Sequence, residues 1–399
     1  MNPLENRLLA LRTEQIRPFF VMELVKQAYE LERAGRSIVH LSIGEPDFGA
    51  PTPVLEALAH AARAQRIPYS AALGLPRLRE AIAAHYLSQY GLEVPAQRIV
   101  VTAGASGALL LAMAALVNPG DEVLMPDPSY PCNRHFVNLF DARARLIPAH
   151  AHERFQLSEA MVREHWSERT RGVLIASPAN PTGTSIAVDE LQRIMRTVRE
   201  RRGFVIVDEI YQGLTLEGQP HSALALEDGD ADDLIIVNSF SKYFCMTGWR
   251  LGWLVVPERM VPVFERLSQN LYICASSLAQ QAALACFTPE SIAICEERRA
   301  ELRRRRDFFV PALRELGFEV PVVPDGAFYI YADCSRLAAD SSEFAERVLH
   351  EAGVCIVPGK DFGEHQPERW LRLSFATSRD NLAEAARRMA RLLQTSAVA

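Results

Sequence analysis

No Cys-x-x-Cys pair occurs among the seven cysteines of this 399-residue sequence, which lie scattered at positions 132, 245, 274, 286, 295, 334 and 355. An odd, dispersed set in so long a chain argues against a disulfide framework and for reduced thiols in a cytoplasmic protein. The ten histidines are scattered too, without a His-Glu-x-x-His motif or a close His/Cys cluster, so no metal site is expected. Long apolar runs are missing: residues 108–117 come nearest, and a membrane-spanning helix needs about 20. Residues 1–19 contain Glu5 and Glu14 and no apolar signal core, so export is not expected. Positive charge is in short supply, with 43 Lys plus Arg against 49 Asp plus Glu and a formal charge of −6, which disfavours nucleic-acid and membrane-surface roles.

What is present is the composition of a globular chain, 49% apolar and 23% charged. At roughly 150 residues per domain its length suggests two or three domains. Short β-branched runs, RIVVTAG (98–104), GVLIAS (172–177), FVIVDE (204–209) and LIIVNS (234–239), alternate with helical patterns. This is the signature of an α/β domain with a mostly parallel sheet covered on both faces. Between two of these runs Asp189 opens a crossover helix, with Leu191, Ile194 and Val198 on one face and a stop expected at Gly203. The last third changes character: a charged helix over 296–317, then FEVPVV, GAFYIYAD, a helix from about Ser342, GVCIVPG, and a final helix opening at Asn381 with Leu382, Ala385, Met389 and Leu392 on one side. The expected division is a large domain over 49–290 and a smaller α+β domain over 291–399, joined by an N-terminal arm and segment, 1–48. The run ERRAELRRRR interleaves arginines with Glu297, Glu301 and the flanking Glu296 and Asp307, which predicts a solvated helix face. The acidic stretch EDGDADD (227–233) lacks the calcium-loop order and reads as a hydrated loop.

Four segments can carry chemistry. In NSFSKYFCMTGWRLGW (238–253), Lys242 follows the carboxyl end of a predicted strand, where open α/β sheets hold ligands. Ser239 and Ser241 offer hydroxyls, and Arg250 stands between Gly248 and Gly252; the amine can form a Schiff base and the guanidinium can hold a phosphate. The alternative is an ordinary surface loop. In FVIVDEIYQG, Asp208 ends a buried strand, where an ionised carboxylate costs several kcal/mol without a partner. A protonated pyridine nitrogen is one such partner; a helix cap or an arginine is another. Tyr211 can reach a phenolic ring oxygen or simply pack. In SPANPTG (177–183) the prolines stiffen a turn that fixes Asn180 at the sheet edge. In VTAGASGALLLAMAAL (101–116) a strand, a glycine-containing turn and a helix follow one another, so the N–H groups of Gly104, Ala105 and Ser106 can face a phosphate. This turn matches neither the dinucleotide G-x-G-x-x-G pattern nor the Walker lysine pattern.

In this order, together with HLSIGEPDF (40–48), YSAALGLPRLREAIA (69–83), DEIY (208–211), GAFY (326–329) and RLSFA (372–376), the sequence resembles the pyridoxal-phosphate-dependent aminotransferases of fold type I, class I/II. The resemblance implies an aspartate-aminotransferase-like fold: a large domain with a mostly parallel seven-stranded sheet, plus the smaller α+β domain. It implies that Lys242 forms the Schiff base with pyridoxal 5′-phosphate, that Asp208 pairs with the pyridinium nitrogen, and that Tyr211 and Asn180 bind the ring oxygen. Arg250, Ser239, Ser241 and the Gly104–Ser106 turn would hold the phosphate. Tyr130 would stack on the ring, and Tyr69 would reach the phosphate of a neighbouring subunit in a homodimer with shared active sites. Arg372, with Gly44 and Asn180, would clamp the substrate carboxylate; from local sequence alone it could equally be a strand salt bridge.

The implied reaction is ping-pong transamination between an L-amino acid and a 2-oxo acid, an activity of amino-acid metabolism or biosynthesis. Lys242 would serve as the proton carrier. An ordinary lysine, at about 10.4, must fall by about 3.4 pH units to do so near neutrality, roughly 4.6 kcal/mol of differential solvation and charge interaction. Ile16, Phe19, Tyr69, Tyr130 and Phe328 could form an apolar wall for the substrate side chain, and Arg134 or His135 could meet a distal carboxylate. Two alternatives stand beside transamination: C–S β-lysis on the same cofactor, and a non-catalytic cofactor-binding regulatory or scaffold protein.

Overall fold

Seven strands form the large sheet: β1 (Ile99–Thr102), β2 (Glu122–Asp127), β3 (Arg143–Pro148), β4 (Thr170–Ala176), β5 (Phe204–Asp208), β6 (Leu234–Ser239) and β7 (Gly252–Val255). They lie in a computed structural model whose described residues are 9–396 except 11, 17, 64, 65 and 228–231. The spatial order is β1-β7-β6-β5-β4-β2-β3. Every pair from β3 across to β6 is parallel, while β7 runs antiparallel to both β6 and β1. Every residue of β1, β2, β5 and β7 is buried, because helices cover both faces. The four β-branched runs became β1, β4, β5 and β6; β3 escaped notice because RARLIP is an edge strand with a mostly half-exposed pattern.

Helix α1 (Gly104–Leu116) follows β1, and the crossover helix α2 (Val188–Glu200) buries Leu191, Ile194 and Val198 as expected. Its stop differs from the expectation. The left-handed residue is Arg202, at φ 58°, whereas Gly203 is required for close approach: a Cβ there would stand 2.5 Å from the Trp166 ring.

The second layer starts with α3 (Pro289–Glu315) and contains β8 (Tyr329–Asp333), β9 (Val357–Pro358) and β10 (Trp370–Ser374) in the antiparallel order β9-β10-β8. Helix α4 (Arg379–Ser396) opens two residues before Asn381 and buries Leu382, Ala385, Met389 and Leu392. The beginning of the chain joins this layer. Val39–His40 pairs in parallel with Val354–Cys355, and the Asp361 carboxylate accepts the N–H groups of Phe20 and Val21 at 2.8 Å each.

The arginine-rich run is not the solvated face that its charge pattern suggests. Arg305 and Arg306 are buried; Arg305 donates to Asp47 at 2.8 Å, and Arg306 donates to Glu217 at 2.6 Å and to the Pro324 carbonyl at 2.9 Å. These partners lie far away in sequence and add to the local pairs with Glu301 and Asp307, so helix-local pairing alone could not reveal the burial. Of the acidic stretch, 228–231 lies outside the described residues, and its flanks are ion-paired rather than merely hydrated: Arg98 holds Glu227 and Arg199 holds Asp233.

Candidate active site

The carboxyl ends of β4, β5 and β6 deliver the chemistry to one place. Asp208 is the last residue of β5, Lys242 lies three residues beyond β6, and Asn180 sits in the turn after β4. Together with Gly44, Ala105, Ser106, Tyr130, Tyr211, Ser241, Arg250 and Arg372 they line a cavity of about 230 Å³. This convergence is what parallel strands produce, since each ends at the same sheet edge.

Two buried charges define the cavity. Asp208, 6% exposed, accepts one backbone hydrogen bond, from Ile210 N at 3.1 Å, and among the described residues no arginine pairs with it. Burial pushes its carboxyl up to about 7, against the opposing pull of that N–H and of Lys242. The Lys242 amine opens onto the cavity and donates to the Gly44 carbonyl at 2.6 Å. Burial brings it down to about 8; Glu45 opposes this, and the positive charges of Arg372 and Arg250 add to it. Burial in the cofactor-free protein thus moves the amine toward the range that the chemistry demands.

At the phosphate end, α1 begins at Gly104, so the first-turn N–H groups have no intrahelical acceptors and the helix dipole favours an anion. Gly104 has φ +73°, and a Cβ there would stand 2.7 Å from Arg250 Nη2. The glycine therefore keeps the guanidinium and the helix start together. Arg250 donates from Nη1 to the Thr247 carbonyl at 2.8 Å.

At the opposite end, Arg372 is 5% exposed and lies between the rings of Tyr329 (4.5 Å) and Phe362 (4.9 Å). Its Nη1 donates to Asn180 Oδ1 at 3.1 Å and its Nη2 to the Ser42 carbonyl at 2.8 Å, whereas the buried Nε has no partner among the described residues. With Oδ1 occupied, the Asn180 amide nitrogen is left to meet a ring oxygen.

Pyridoxal phosphate fits these residues on three counts. An acid with no positive partner stands at one wall, an amine at another, and a helix start with a guanidinium forms a cradle that a single extra Cβ would fill. The guanidinium of Arg372, with its Nε still unpartnered among the described residues, is a group that could hold a carboxylate.

The remaining residues fall less neatly. Ser239 does not line the cavity; its hydroxyl donates to the Leu251 carbonyl at 3.1 Å, accepts the Ser241 N–H at 3.1 Å and lies 2.9 Å from Ser241 Oγ, holding Ser241 in place. Tyr69 is 77% exposed and outside the cavity of its own chain. Of the expected apolar wall, Tyr130 lines the cavity, but Phe328 is wholly buried behind Tyr211, edge-on at 5.6 Å, and Ile16 is exposed. Neither Arg134 nor His135 lines the cavity. Tyr329 was missed as a site residue: its hydroxyl lies 3.0 Å from that of Tyr211, across 118 residues of chain. The motif GAFY was the available signal, but no local pattern assigns a role to its last residue.

Comparisons with known proteins agree with this geometry. The family description "Aminotransferase class I and II" matches residues 36–389. The valine–pyruvate aminotransferase of Mycobacterium tuberculosis is 40% identical over 372 residues, covering 93% of this chain and 95% of that protein. The aspartate/prephenate aminotransferase of Thermus thermophilus is 35% identical over 390 residues, 96% of this chain and 98% of that one. Among solved structures, an aminotransferase from M. tuberculosis superposes with a TM-score of 0.92 at 39% identity, covering 97% of this chain and 99% of the other. The T. thermophilus aspartate aminotransferase with maleate gives 0.90 at 34%, covering 97% and 100%. A match across nearly the whole length, with the site residues convergent, shows that the chain belongs to the class I and II aminotransferases, the pyridoxal-phosphate-dependent enzymes of fold type I.

Proposed function

We propose that this aminotransferase binds pyridoxal 5′-phosphate and moves the amino group of an L-amino acid with an apolar side chain to a 2-oxo acid in a ping-pong cycle. The observation that carries the reading is the convergence of Lys242, Asp208 and the guanidinium-bearing Arg372 on one 230 Å³ cavity. Bound pyridoxal phosphate supplies an electron sink for the charge released at the substrate α-carbon. The protein's own groups do the rest. Asp208 keeps the sink protonated through a charge pair that burial strengthens. Lys242 Nζ, brought near neutrality, takes and returns the α-proton, and the Gly44 carbonyl holds the amine between turns. Arg372, held by Asn180 and Ser42, offers its guanidinium to the substrate carboxylate with little orientational freedom left to lose.

The preference for an apolar side chain rests on charge. Among the described residues Arg250 and Arg372 are the two guanidinium groups lining the cavity; the first is committed to phosphate and the second to the α-carboxylate. The homology to a valine–pyruvate enzyme points the same way. The exposed Tyr69 supports a homodimer in which each subunit's tyrosine completes the phosphate site of the other. A donor screen of L-valine, L-alanine, L-methionine and L-aspartate against pyruvate and 2-oxoglutarate tests the reading. It fails if L-aspartate is the preferred donor, or if sedimentation gives an active monomer.

A further inference from the structure

Tyr211 and Tyr329 each carry one hydroxyl proton, and their oxygens lie 3.0 Å apart in the wall of the cavity. One proton lies in that bond and the other is free to point elsewhere. Among the described residues the Tyr329 hydroxyl has no other hydrogen-bond partner. It lies against the Gly44 backbone, where an added Cβ would come within 3.4 Å of it. If Tyr211 gave its proton to Tyr329, none would remain for a ring oxygen of the cofactor. If Tyr329 gives its proton to Tyr211, the Tyr211 proton is released toward that oxygen, and the two bonds polarise each other. An anionic ring oxygen selects the second arrangement, because bonds to charged acceptors are about twice as strong as neutral ones. The ring of Tyr329 has a separate task. It lies 4.5 Å from the Arg372 guanidinium, on which Phe362 also packs at 4.9 Å, and Tyr329 is wholly buried, so the guanidinium is held in a slot between two rings.

We propose that Tyr329 is a positioning residue with two separable parts: its hydroxyl aims the Tyr211 proton at the ring oxygen of the cofactor, and its ring holds the Arg372 carboxylate clamp. The proposal rests on the pyridoxal-phosphate reading above. Removing the hydroxyl leaves Tyr211 a weaker donor, makes the ring oxygen more basic, and so moves upward the pH at which the bound cofactor changes its visible absorption.

The test is a pH titration of that absorption in the loaded wild type, Tyr329→Phe, Tyr211→Phe and the double variant, with substrate KM measured beside it. Tyr329→Phe should raise the midpoint by about 0.5 pH unit, the size expected when one neutral bond in a chain is lost. It should leave KM within about twofold, because the ring remains. In the Tyr211→Phe background the same change should shift the midpoint by less than about 0.1, since the hydroxyl acts through Tyr211. Tyr329→Leu, which removes the ring as well, should raise KM about tenfold. An unchanged midpoint in Tyr329→Phe, or an equal shift in both backgrounds, overturns the proposal. A wild-type protein that takes up no cofactor overturns the underlying reading instead, and this proposal with it.

Discussion

Replacing Asp208 with asparagine should make the cofactor-free protein more stable and the loaded enzyme slower. The carboxyl is buried with a single backbone donor and is lifted from 3.8 to about 7. Three pH units correspond to about 4 kcal/mol, the ceiling on what the ionised form costs the folded chain. An asparagine amide left without an acceptor returns about 1–3 kcal/mol of this, so the net gain above pH 7 should be about 1–3 kcal/mol. The sign follows from proton linkage. Between pH 4 and 7 the folded wild type holds a proton that the unfolded chain has released, so wild-type stability falls as pH rises and the loss is complete above 7. The advantage of Asp208→Asn should therefore be small at pH 5, grow through pH 6 and 7, and level off at pH 8. Urea midpoints of stripped protein at these pH values measure it. With cofactor bound the sign reverses, because the carboxylate then has its positive partner, and turnover should drop about 10²- to 10³-fold. A stability difference independent of pH, or an asparagine variant less stable than wild type at pH 8, would refute the reasoning.

Three further outcomes follow from the geometry. Arg372→Lys should raise the KM for the amino donor roughly 30- to 100-fold with a smaller change in kcat, because a point charge cannot be gripped by Asn180 and Ser42 while also offering a fixed donor; steady-state kinetics check this. Gly104→Ala should push the Arg250 guanidinium out of the cradle and weaken cofactor binding about tenfold, read by fluorescence titration, at a cost of only about 1 kcal/mol in fold stability. Arg305→Met should cost about 1–2 kcal/mol by urea denaturation because Asp47 loses its arginine while Glu301 keeps Arg304, whereas Arg304→Met on the exposed side should cost under about 0.5.

Legibility in the sequence tracked how local each feature is. Strands β1, β4, β5 and β6 announce themselves through β-branched runs, and the residues at their carboxyl ends, Asp208, Asn180 and Lys242, could be read from the position of the run's end. The start of α1 at Gly104 was legible for the same reason. What escaped depends on pairs distant in sequence. Ser239 and Ser241 look equivalent in SFSK, yet only Ser241 reaches the cavity, because the Leu251 carbonyl captures the other. Arg305 reads as a surface charge until Asp47, 258 residues away, is brought against it. Phe328 and Tyr329 are neighbours, but strand alternation sends one behind Tyr211 and the other to its hydroxyl, and only the register of β8 against β10 decides which.

The most direct test of the central claim is a single turnover without an acceptor. Loaded wild-type protein given excess L-valine should release one equivalent of the matching 2-oxo acid per site and lose its visible absorption. Pyruvate should then restore the absorption as L-alanine forms, and Lys242→Ala should do neither. Free ammonia released continuously without any acceptor, or undiminished transfer in Lys242→Ala, would contradict the account.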